Sequence, residues 1–565
     1  MNSKYIIFYR YEYDYVINAC RRCMPHILET GFEIINNENP NGSPTIKGYN
    51  IINGQLKESS NSETFESKNP AILDDCLGHF PLSTKQDVTD ALYAARDAFV
   101  GWSATPPPTR GQIIGNMGRL LMKYKDDVVR VETREIGKTL KESAGSVQEA
   151  IDTCLFFQSE GRRLYGQTVN SELPNKELFT YRRPLGVCGI INASNFPAAV
   201  PFWKMIPAIM CGNTCVWKSP QDAPMLSFIL ARIMHEAGLP DGVINLIHGK
   251  GSGAGQHLVD AVDEGLVNKI SFTGSTPVGK MIGEVCGRNL VSCSLELGGK
   301  NPLVVMPSAD LDNAVEGAYW AAFGTAGQRC TSLGNLILHE DIYDEFLEKF
   351  LDKVEHTIIG DSMRFENVLY GPMLSERYAK DFIRDLQICE SSGATKLWGK
   401  GTITKDNKPI NFQGDPTEGV YMWPHVYSEV TEDMECFHEE IFGPVVTIVK
   451  ATDFDHALHL ANASPYGLSS ACYTNDRLEA YRFKSEIKAG MTGINNSTTG
   501  AEAHLPFGGV KNSGNGTRES GIWVIEAYSY WHAVNDELSG KLQLAQMDVD
   551  EIHIEEAEVD YSSLA

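Results

Sequence analysis

The stretch LGVCGIINA, residues 185–193, opens the part of the chain that decides the fold. It reads as a strand, and an apolar helical pattern, FWKMIPAIMCG, follows at residues 202–212. The alternation then repeats, with strand-like runs TCVWKS (214–219), GVINLIHG (242–249), KISFTGS (269–275) and SCSLELGG (292–299) separated by helical segments. Strands alternating with helices over short links run parallel, because only a crossover helix returns the chain to the same end of the sheet. We therefore predict an α/β fold with a doubly wound parallel sheet that binds ligands beyond its strand C-termini.

The segments on either side extend this prediction. Residues 85–102, 109–138 and 143–166 show apolar residues at three- and four-residue spacing and are predicted to be helical. We expect the globular part to begin near Lys68. A second α/β region starts with NPLVVMP at Asn301. The run AYSYWHAVND, residues 527–536, is a strand-like segment beyond both regions and needs a partner edge.

Composition excludes several classes of function. The chain has 565 residues, of which 73 are acidic and 49 basic, so its formal net charge is -24. A field of that sign repels phosphate, and nucleic acid and anionic membranes are not expected partners. The uncharged run Leu185–Trp203 is nearly long enough to span a bilayer, but Asn192 and Asn195 would be left unpaired in lipid.

The thirteen cysteines show no regular framework spacing, which is typical of reduced thiols in a compartment such as the cytoplasm. No secretory signal is visible at the start of the sequence. The pair Cys20 and Cys23 has no second pair or histidine cluster near it, so we interpret it as chance, and no metal is expected. Residues 1–48 look like an N-terminal extension of unknown role, and residues 546–565 like an acidic, solvated tail.

Three residues are candidates for catalysis on local grounds. Cys330 lies in the small-residue segment AAFGTAGQRCTS and would be a nucleophile if accessible, although a random cysteine is usually a small core residue. Glu296 ends a strand before a glycine pair; a base role and a structural pairing are both open, and the structural one is favoured locally. Asn195 follows the first strand, where an amide could stabilise an oxyanion or cap the next helix.

Candidates for dinucleotide binding lie at the turns between strands and helices. The run HGKGSGAG contains Gly249, and FTGSTPVG contains Gly274 and Ser275 before a helix. Such turns present N–H groups and a helix N-terminus to phosphate. The standard GxGxxG pattern is not well placed after the first strand. Lys218, which ends the second strand, could reach ribose or phosphate, or could be an ordinary strand-end lysine.

The motifs together resemble the aldehyde dehydrogenase superfamily. GQRCT, LELGGKNP, NFP, VWKSP, SFTGSTPVGK, EEIFGPV and PFGGVKNSGNGTRESG occur in the family's order and span most of residues 50–545. The segments SVQEAIDTC, CGNTCVWK and VLYGPM resemble the α-aminoadipic semialdehyde dehydrogenase (antiquitin) branch. The resemblance implies a Rossmann-type cofactor domain at residues 49–159 and 183–298, a catalytic domain at 299–521, and bridging oligomerisation arms at 160–182 and 522–545.

The resemblance also implies residue roles. Cys330 matches the nucleophile, Glu296 the general base and Asn195 the oxyanion-hole amide. The matches on the cofactor side are Lys218 for the adenosine ribose, Gly274 and Ser275 for phosphate, and Glu440 and Phe442 for the nicotinamide end. On local evidence alone, Glu440 reads as a solvated charge and Phe442 as a core residue. The C-terminal strand would pair across a dimer interface, in a homodimer or homotetramer.

The sequence departs from the family pattern at two places. Ala193 and Ser194 replace the common Pro-Trp pair. Gln221 stands where an acid often binds the ribose hydroxyls and repels a 2′-phosphate. NAD is the expected cofactor, and NADP should be tolerated.

The expected function is NAD(P)-dependent oxidation of a small-molecule aldehyde to the acid through a thiohemiacetal and a thioester on Cys330. The resembling branch implies an amino acid head group, with Arg329 binding its carboxylate and Glu149 its ammonium. The alternative, which the residues alone favour, is that Arg329 makes a structural contact, Glu149 is a solvated helix residue and the substrate is another aldehyde or semialdehyde. A CoA-acylating enzyme of the same fold is one alternative, which Glu296 disfavours because hydrolysis needs a base. A catalytically idle binding protein is the other.

Overall fold

A computed structural model describes residues 33–38, 44–549 and 562. The strands, in chain order, are β1 Glu33–Glu38, β2 Pro44–Lys47, β3 Asn50–Ile52, β4 Gln55–Lys57, β5 Thr64–Asn69, β6 Ile72–Pro81, β7 Thr168–Asn170, β8 Lys176–Pro184, β9 Val187–Ile191, β10 Thr214–Lys218, β11 Ile244–Ile247, β12 Lys269–Thr273, β13 Ser292–Glu296, β14 Asn301–Val305, β15 Leu333–His339, β16 Ile359–Gly360, β17 Thr395–Trp398, β18 Phe412–Gln413, β19 His425–Ser428, β20 Val445–Ala451, β21 Tyr466–Gly467, β22 Ser469–Tyr473, β23 Met491–Ile494, β24 Val510–Lys511 and β25 Ser529–Glu537.

The α-helices are α1 Lys85–Ala104, α2 Pro107–Lys123, α3 Lys125–Ile136, α4 Leu140–Glu160, α5 Ala199–Cys211, α6 Pro224–Glu236, α7 Gln256–Asp260, α8 Thr276–Arg288, α9 Leu311–Phe323, α10 Tyr343–Glu355, α11 Glu376–Ser391, α12 Glu435–His438, α13 Phe454–Ala463, α14 Arg477–Glu486 and α15 Ile525–Tyr528. Short 3₁₀ or π turns lie at Gly251–Gly255, Gly324–Gly327, Glu340–Ile342 and Ile522–Val524. Both the Cys20–Cys23 pair and most of the predicted N-terminal extension and acidic tail lie outside the described residues.

The first sheet has the order β13-β12-β9-β10-β11-β3-β4. The five strands from β13 to β11 are the predicted ones, and they pair in parallel. All five carry buried apolar residues because helices cover both faces. The antiparallel hairpin β3–β4 extends the sheet beyond β11. The prediction that the globular part begins near Lys68 is therefore wrong, since β2 to β4 precede that residue and Ile51 is fully buried.

The predicted helical region before the first sheet is confirmed with one difference. Residues 109–138 do not form one helix, because α2 ends at Lys123 and α3 begins at Lys125. Tyr124 joins them with a non-helical conformation. Helices α1 and α4 begin at Thr84 and Thr139, whose side chains form capping boxes with the third residue of each helix.

The second sheet has the order β17-β19-β20-β15-β14-β22-β23 and is parallel except for the edge strand β17. This sheet and the hydrophobic core around it form the second α/β region that the sequence predicts from Asn301. Among residues 33–38, 44–549 and 562, no helix has both the length and the apolar character needed to cross a membrane.

The C-terminal strand β25 pairs within its own chain. It runs antiparallel to β8 over nine residues, from Ser529 opposite Pro184 to Glu537 opposite Lys176, and β7 completes the three-stranded sheet. The strand is therefore not unpaired within its own subunit, because β8 supplies one edge, while its pairing across a dimer interface stays a prediction for the other edge. The other side of β25 has no strand partner among the described residues, and Tyr530 and Trp531 on this strand are exposed.

Asn213 joins this C-terminal segment to the first sheet. Its amide oxygen accepts the Gly186 N–H at 2.9 Å, and its amide nitrogen donates to the carbonyls of Ala208 at 3.0 Å and Tyr528 at 2.8 Å. The side chain is fully buried. Removing it takes a hydrogen bond from the Gly186 N–H and from the Tyr528 carbonyl in a buried place, whereas the Ala208 carbonyl still accepts the Asn213 backbone N–H at 3.0 Å.

We expect Asn213→Ala to lower the free energy of unfolding by about 2–4 kcal/mol, because buried polar groups lose their hydrogen bonds. Urea denaturation of the two proteins measures the difference. Asn61→Ala, at an exposed position, is the control and should change stability by less than about 0.5 kcal/mol. Equal stability of Asn213→Ala and the wild type would show that this link is not needed.

Candidate active site

A cavity of about 1180 Å³ opens beyond the carboxyl ends of the first sheet. Nine of the predicted site residues line it: Glu149, Asn195, Gly274, Ser275, Glu296, Arg329, Cys330, Glu440 and Phe442. Lys218, Gln221 and Gly249 are not in its lining. The sheet edge is therefore where most of the predicted site residues meet, as expected for ligand binding in parallel α/β sheets.

Cys330 follows a turn with unusual backbone geometry. Thr325 and Ala326 both have left-handed conformations, with φ of 54° and 51°. Gly327 also has a positive φ, and a Cβ there would lie 2.0 Å from the Gly443 carbonyl oxygen. Non-glycine residues in this region each cost of order 1–3 kcal/mol, so the surrounding contacts must stabilise the turn.

A buried ion pair supplies those contacts. Arg329 donates to Glu142 Oε1 at 2.5 Å and to Thr325 Oγ1 at 2.9 Å. Thr325 Oγ1 in turn donates to Glu142 Oε1 at 2.8 Å. The Arg329 guanidinium also lies 4.6 Å from the centre of the Trp320 ring. Helix α4, which carries Glu142, thus fixes the turn before Cys330, and Arg329 has a structural contact as well as a place in the cavity wall.

The Cys330 thiol is held mainly in its protonated form. Burial, with the carboxylates of Glu440 and Glu296, raises its pKa to about 12, and backbone N–H groups act in the opposite direction. The Asn195 amide lines the same cavity and donates to the Gln328 carbonyl at 3.0 Å. An amide nitrogen carries two hydrogens, so a second donor remains for an oxygen atom near the thiol.

The Glu296 carboxyl group is buried at the end of β13 without a hydrogen-bond partner for either oxygen among the described residues. Burial, and then the nearby Glu519 carboxylate, raise its pKa well above the usual range. A carboxylate whose pKa is raised in this way is a stronger base and is better suited to take a proton from water. Gly508 gives it room, since a Cβ there would lie 2.7 Å from Glu296 Oε1.

Behind Glu296 lies a second buried charge pair, Lys204 with Glu519. Lys204 also donates to Ser271 Oγ at 3.1 Å. The sequence reasoning did not identify either residue as part of the site. A signal was present, because Lys204 is the one charged residue in the apolar helix α5, and a buried charge requires a partner.

The turn between β12 and α8 is suited to a phosphate group. The Gly274 N–H donates to the Glu296 carbonyl at 3.0 Å, and Ser275 is the N-cap residue of α8 with no side-chain cap. The first turn of this thirteen-residue helix has no side-chain cap, and Gly274 and Ser275 just before it line the cavity. This is the arrangement expected of Gly274 and Ser275.

Glu440 closes the opposite side of the cavity. Its Oε1 accepts the Gly299 N–H at 3.1 Å, and burial raises its pKa to about 7. A Cβ at Gly298 would lie 2.0 Å from Glu440 Oε2, so a larger residue there would displace the Glu440 carboxylate from this position. Phe442 packs against Tyr378, with ring centres 6.0 Å apart. Glu440 is thus a cavity residue rather than the solvated charge suggested by its local sequence.

The remaining predicted cofactor residues lie outside the cavity lining. Lys218 is buried at the end of β10 beside the 251–255 turn, and burial lowers its pKa to about 8. Gln221 is half-buried in the loop that follows. Its neighbour Asp222 accepts from Ser194 Oγ at 2.8 Å and from the Arg377 guanidinium at 3.0 Å, contacts that no local pattern predicts. Gly249 has φ of 139°, which an L residue rarely adopts.

The outer part of the cavity is acidic and aromatic. Glu149, Asp152 and Glu502 line it together with aromatic rings that include Trp203 and Phe507. Glu149 Oε1 has no hydrogen-bond partner among the described residues. Burial, with the Asp152 carboxylate, raises the pKa of Glu149 to about 8.

Comparison with known proteins agrees with this geometry. The model of the aldehyde dehydrogenase family matches residues 57–534. The α-ketoglutarate semialdehyde dehydrogenase of Haloferax volcanii is 38% identical, covering 87% of this chain and 99% of that protein. Malonate-semialdehyde dehydrogenase 1 of Geobacillus thermodenitrificans is 35% identical, covering 86% and 98%. The crystal structure of betaine aldehyde dehydrogenase from Staphylococcus aureus in complex with NAD+ superposes with a TM-score of 0.84 at 28% identity, over 94% of this chain and 99% of that one.

The chain belongs to the aldehyde dehydrogenase family. The predicted fold class, the enzyme class and NAD(P) as cofactor are confirmed. The antiquitin branch is not the one that these relatives represent, since they are dehydrogenases of other semialdehydes.

We expect this enzyme to use NADP as well as NAD, because Gln221 carries no charge to repel a 2′-phosphate. Gln221→Glu should lower kcat/KM for NADP relative to NAD by about tenfold, or 1.4 kcal/mol, through that repulsion. Steady-state rates with both cofactors measure the ratio. Gln86→Glu on α1 is the control, and an unchanged ratio in Gln221→Glu would place cofactor discrimination elsewhere.

Proposed function

We propose that Cys330, Asn195 and Glu296 carry out the oxidation of a semialdehyde to its acid. The observation that supports this most is the Glu296 carboxyl group, which lies buried and unpartnered in the same cavity as the Cys330 thiol. A buried acid without a partner is costly, and such groups cluster where proton transfer is needed.

The first step is attack of the Cys330 sulfur on the aldehyde carbon. Although burial raises the thiol pKa, the sulfur gives its proton to water as the carbon–sulfur bond forms, so Glu296 is not needed in this step. The developing oxyanion accepts hydrogen bonds from the free N–H of Asn195 and the backbone N–H of Cys330. The product of this step is a thiohemiacetal on Cys330.

The dinucleotide fits the cavity residues. The α8 N-terminus with Gly274 and Ser275 would bind its pyrophosphate, and Glu440 and Phe442 would hold the nicotinamide end. When bound, the cofactor would supply the acceptor for a hydride. Loss of that hydride from the thiohemiacetal leaves a thioester on Cys330. Glu296 then takes a proton from water, and the resulting hydroxide releases the acid. Lys204 and Glu519 set the charge around Glu296 and do not touch the substrate.

Glu296→Gln should show a burst of NADH followed by a slow steady state, because loss of the base slows thioester hydrolysis more than the steps before it. Stopped-flow absorbance measures both phases. Cys330→Ser should bind cofactor but give neither phase.

The pH dependence follows from the raised pKa of Glu296. Below that pKa the carboxyl group holds its own proton and cannot take one from water, so hydrolysis should speed up as pH rises through it. Glu296→Gln should lose this rising limb. Equal slowing of the burst and the steady state would show that Glu296 acts before hydrolysis. A steady-state rate of NADH formation that is restored when CoA is added, and that water alone does not support, would instead favour the CoA-acylating alternative.

We propose that the substrate carries an ammonium group near its far end. The support is the acidic outer cavity, where Glu149 has an unpartnered, buried oxygen beside aromatic rings. Ammonium groups bind well to carboxylates and to the faces of aromatic rings. Arg329 retains N–H groups beyond its bonds to Glu142 and Thr325, which could hold a carboxylate. An α-amino acid semialdehyde such as α-aminoadipic semialdehyde has both groups.

The relatives named above support a second candidate, a semialdehyde with a carboxylate but no ammonium. Two substrates of equal length separate the possibilities: α-aminoadipic semialdehyde and adipic semialdehyde. Glu149→Gln should reduce kcat/KM for the first by about tenfold or more while sparing the second, because only the first loses an ion pair. Asp97→Asn on α1 is the control. A preference for adipic semialdehyde in the wild type would select the second candidate.

We also propose that the subunits form a homodimer or homotetramer through the β25-β8-β7 sheet. The domains and arms would have the limits predicted from the sequence. The open edge of β25 and the exposed aromatic residues on this strand support this, since such an edge is usually covered.

None of the eleven described cysteines forms a disulfide, which supports a reducing compartment such as the cytoplasm.

A further inference from the structure

Strands β5 and β6 form an antiparallel pair with an extra residue on β6. Glu66 lies opposite His79, Ser67 opposite Gly78, and Lys68 opposite Cys76. Leu77 is therefore skipped in the register and forms a β-bulge. Residues three apart on a regular strand point to opposite faces, but a bulge between them restores the same face. The bulge thus places Cys76 on the same face as His79 and Glu66.

The side chains of Glu66, Cys76 and His79 meet on that face. One ligand atom from each, a carboxylate oxygen, the sulfur and a ring nitrogen, lies within 4.8 Å of the others. Ligands around a tetrahedral zinc ion, bound at roughly 2.0–2.3 Å, are about 3.5 Å apart. Glu66 is exposed and His79 only half-buried, so small rotations can close the difference.

The other face of the two strands is fixed. Ser67 Oγ donates to Glu135 Oε1 at 2.8 Å, and Asp75 forms an ion pair with Arg134 at 2.7 Å. These contacts hold β5 and β6 against helix α3, which carries Glu135 and Arg134. The three side chains therefore project from a backbone whose position does not depend on them.

We propose that Glu66, Cys76 and His79 bind one divalent transition-metal ion of the zinc class, with water as the fourth ligand. A thiolate and an imidazole select this class over magnesium and calcium, which prefer oxygen ligands. Lys68 lies 3.2 Å from Glu66 Oε2 and would have to yield the carboxylate. Both partners of that pair are about half-exposed, and such pairs are weak.

The site is separate from the chemistry of the enzyme. None of its three residues lines the cavity that contains Cys330. A bound ion would join β5 to β6 and stabilise the folded chain, because binding to the native state alone raises its stability. We expect a higher Tm with metal and no change in the catalytic mechanism.

Cobalt(II) is the probe, since a thiolate ligand gives it a near-ultraviolet charge-transfer band. The full-length, reduced protein carries Cys330→Ser so that the cavity thiol does not contribute. We expect one equivalent of cobalt to produce the band and one equivalent of zinc to remove it. Cys76→Ser should abolish the band, and Glu66→Gln should weaken binding by about tenfold or more. Lys68→Met should tighten binding, because the competing ammonium is gone.

Cys293→Ser is the matched control, since Cys293 is another half-buried thiol. It should keep the band. Circular dichroism melts check that each variant folds, and Glu66→Gln and Lys68→Met keep the test valid if Cys76→Ser does not. A band that survives Cys76→Ser, a wild-type chain without a band, or an unchanged affinity in both Glu66→Gln and Lys68→Met would overturn the proposal.

Discussion

The bond between Glu142 and Arg329 is the interaction on which the site depends. It is buried, it joins helix α4 to the segment that carries Cys330, and it shares Thr325 with a turn in a left-handed conformation. Two such residues cost of order 2–6 kcal/mol together. Breaking one side of a buried ion pair costs about 3–5 kcal/mol. The two terms are of the same size, so the pair is strong enough to keep the turn in a shape that it would not adopt alone.

The surroundings of Glu296 and Glu440 explain why two similar carboxyl groups in one cavity differ in pKa. Glu296 and Glu440 both face Cys330, and both raise the pKa of its thiol. Glu440 accepts a backbone N–H and lies near Lys300, whereas Glu296 has no hydrogen-bonded partner and faces another carboxylate. The pKa of Glu296 is therefore raised further. One carboxylate is suited to hold a ligand and the other to exchange a proton.

The sequence predicted the parts of this structure that depend on local pattern. The five parallel strands were clear because each is an apolar run between helices, and Cys330, Asn195 and Glu296 were identified because they lie at strand ends or in distinctive motifs. The break at Tyr124 was missed, since apolar periodicity continues across it. Glu142, Asp222 and Glu519 were missed for another reason. Each acts through a partner far away in the chain, and no local pattern encodes such a pairing. The pairing of β25 with β8 was missed in the same way.

The distance along the chain between Lys204 and Glu519 has a consequence for how the protein is made. The two residues are 315 positions apart, and so are Asn213 and Tyr528. A ribosome that has released the whole first sheet has not yet synthesised the partners of Lys204 and Asn213. During that time helix α5 carries a charge that has no counter-ion in the apolar interior, and a backbone edge stays open where β25 will pair. The five parallel strands of the first sheet are contiguous in sequence, yet the polar groups buried beside them find their partners only in the last part of the chain to emerge. Chaperones that protect exposed strand edges would be needed longest at β8, which is synthesised more than 300 residues before its partner β25.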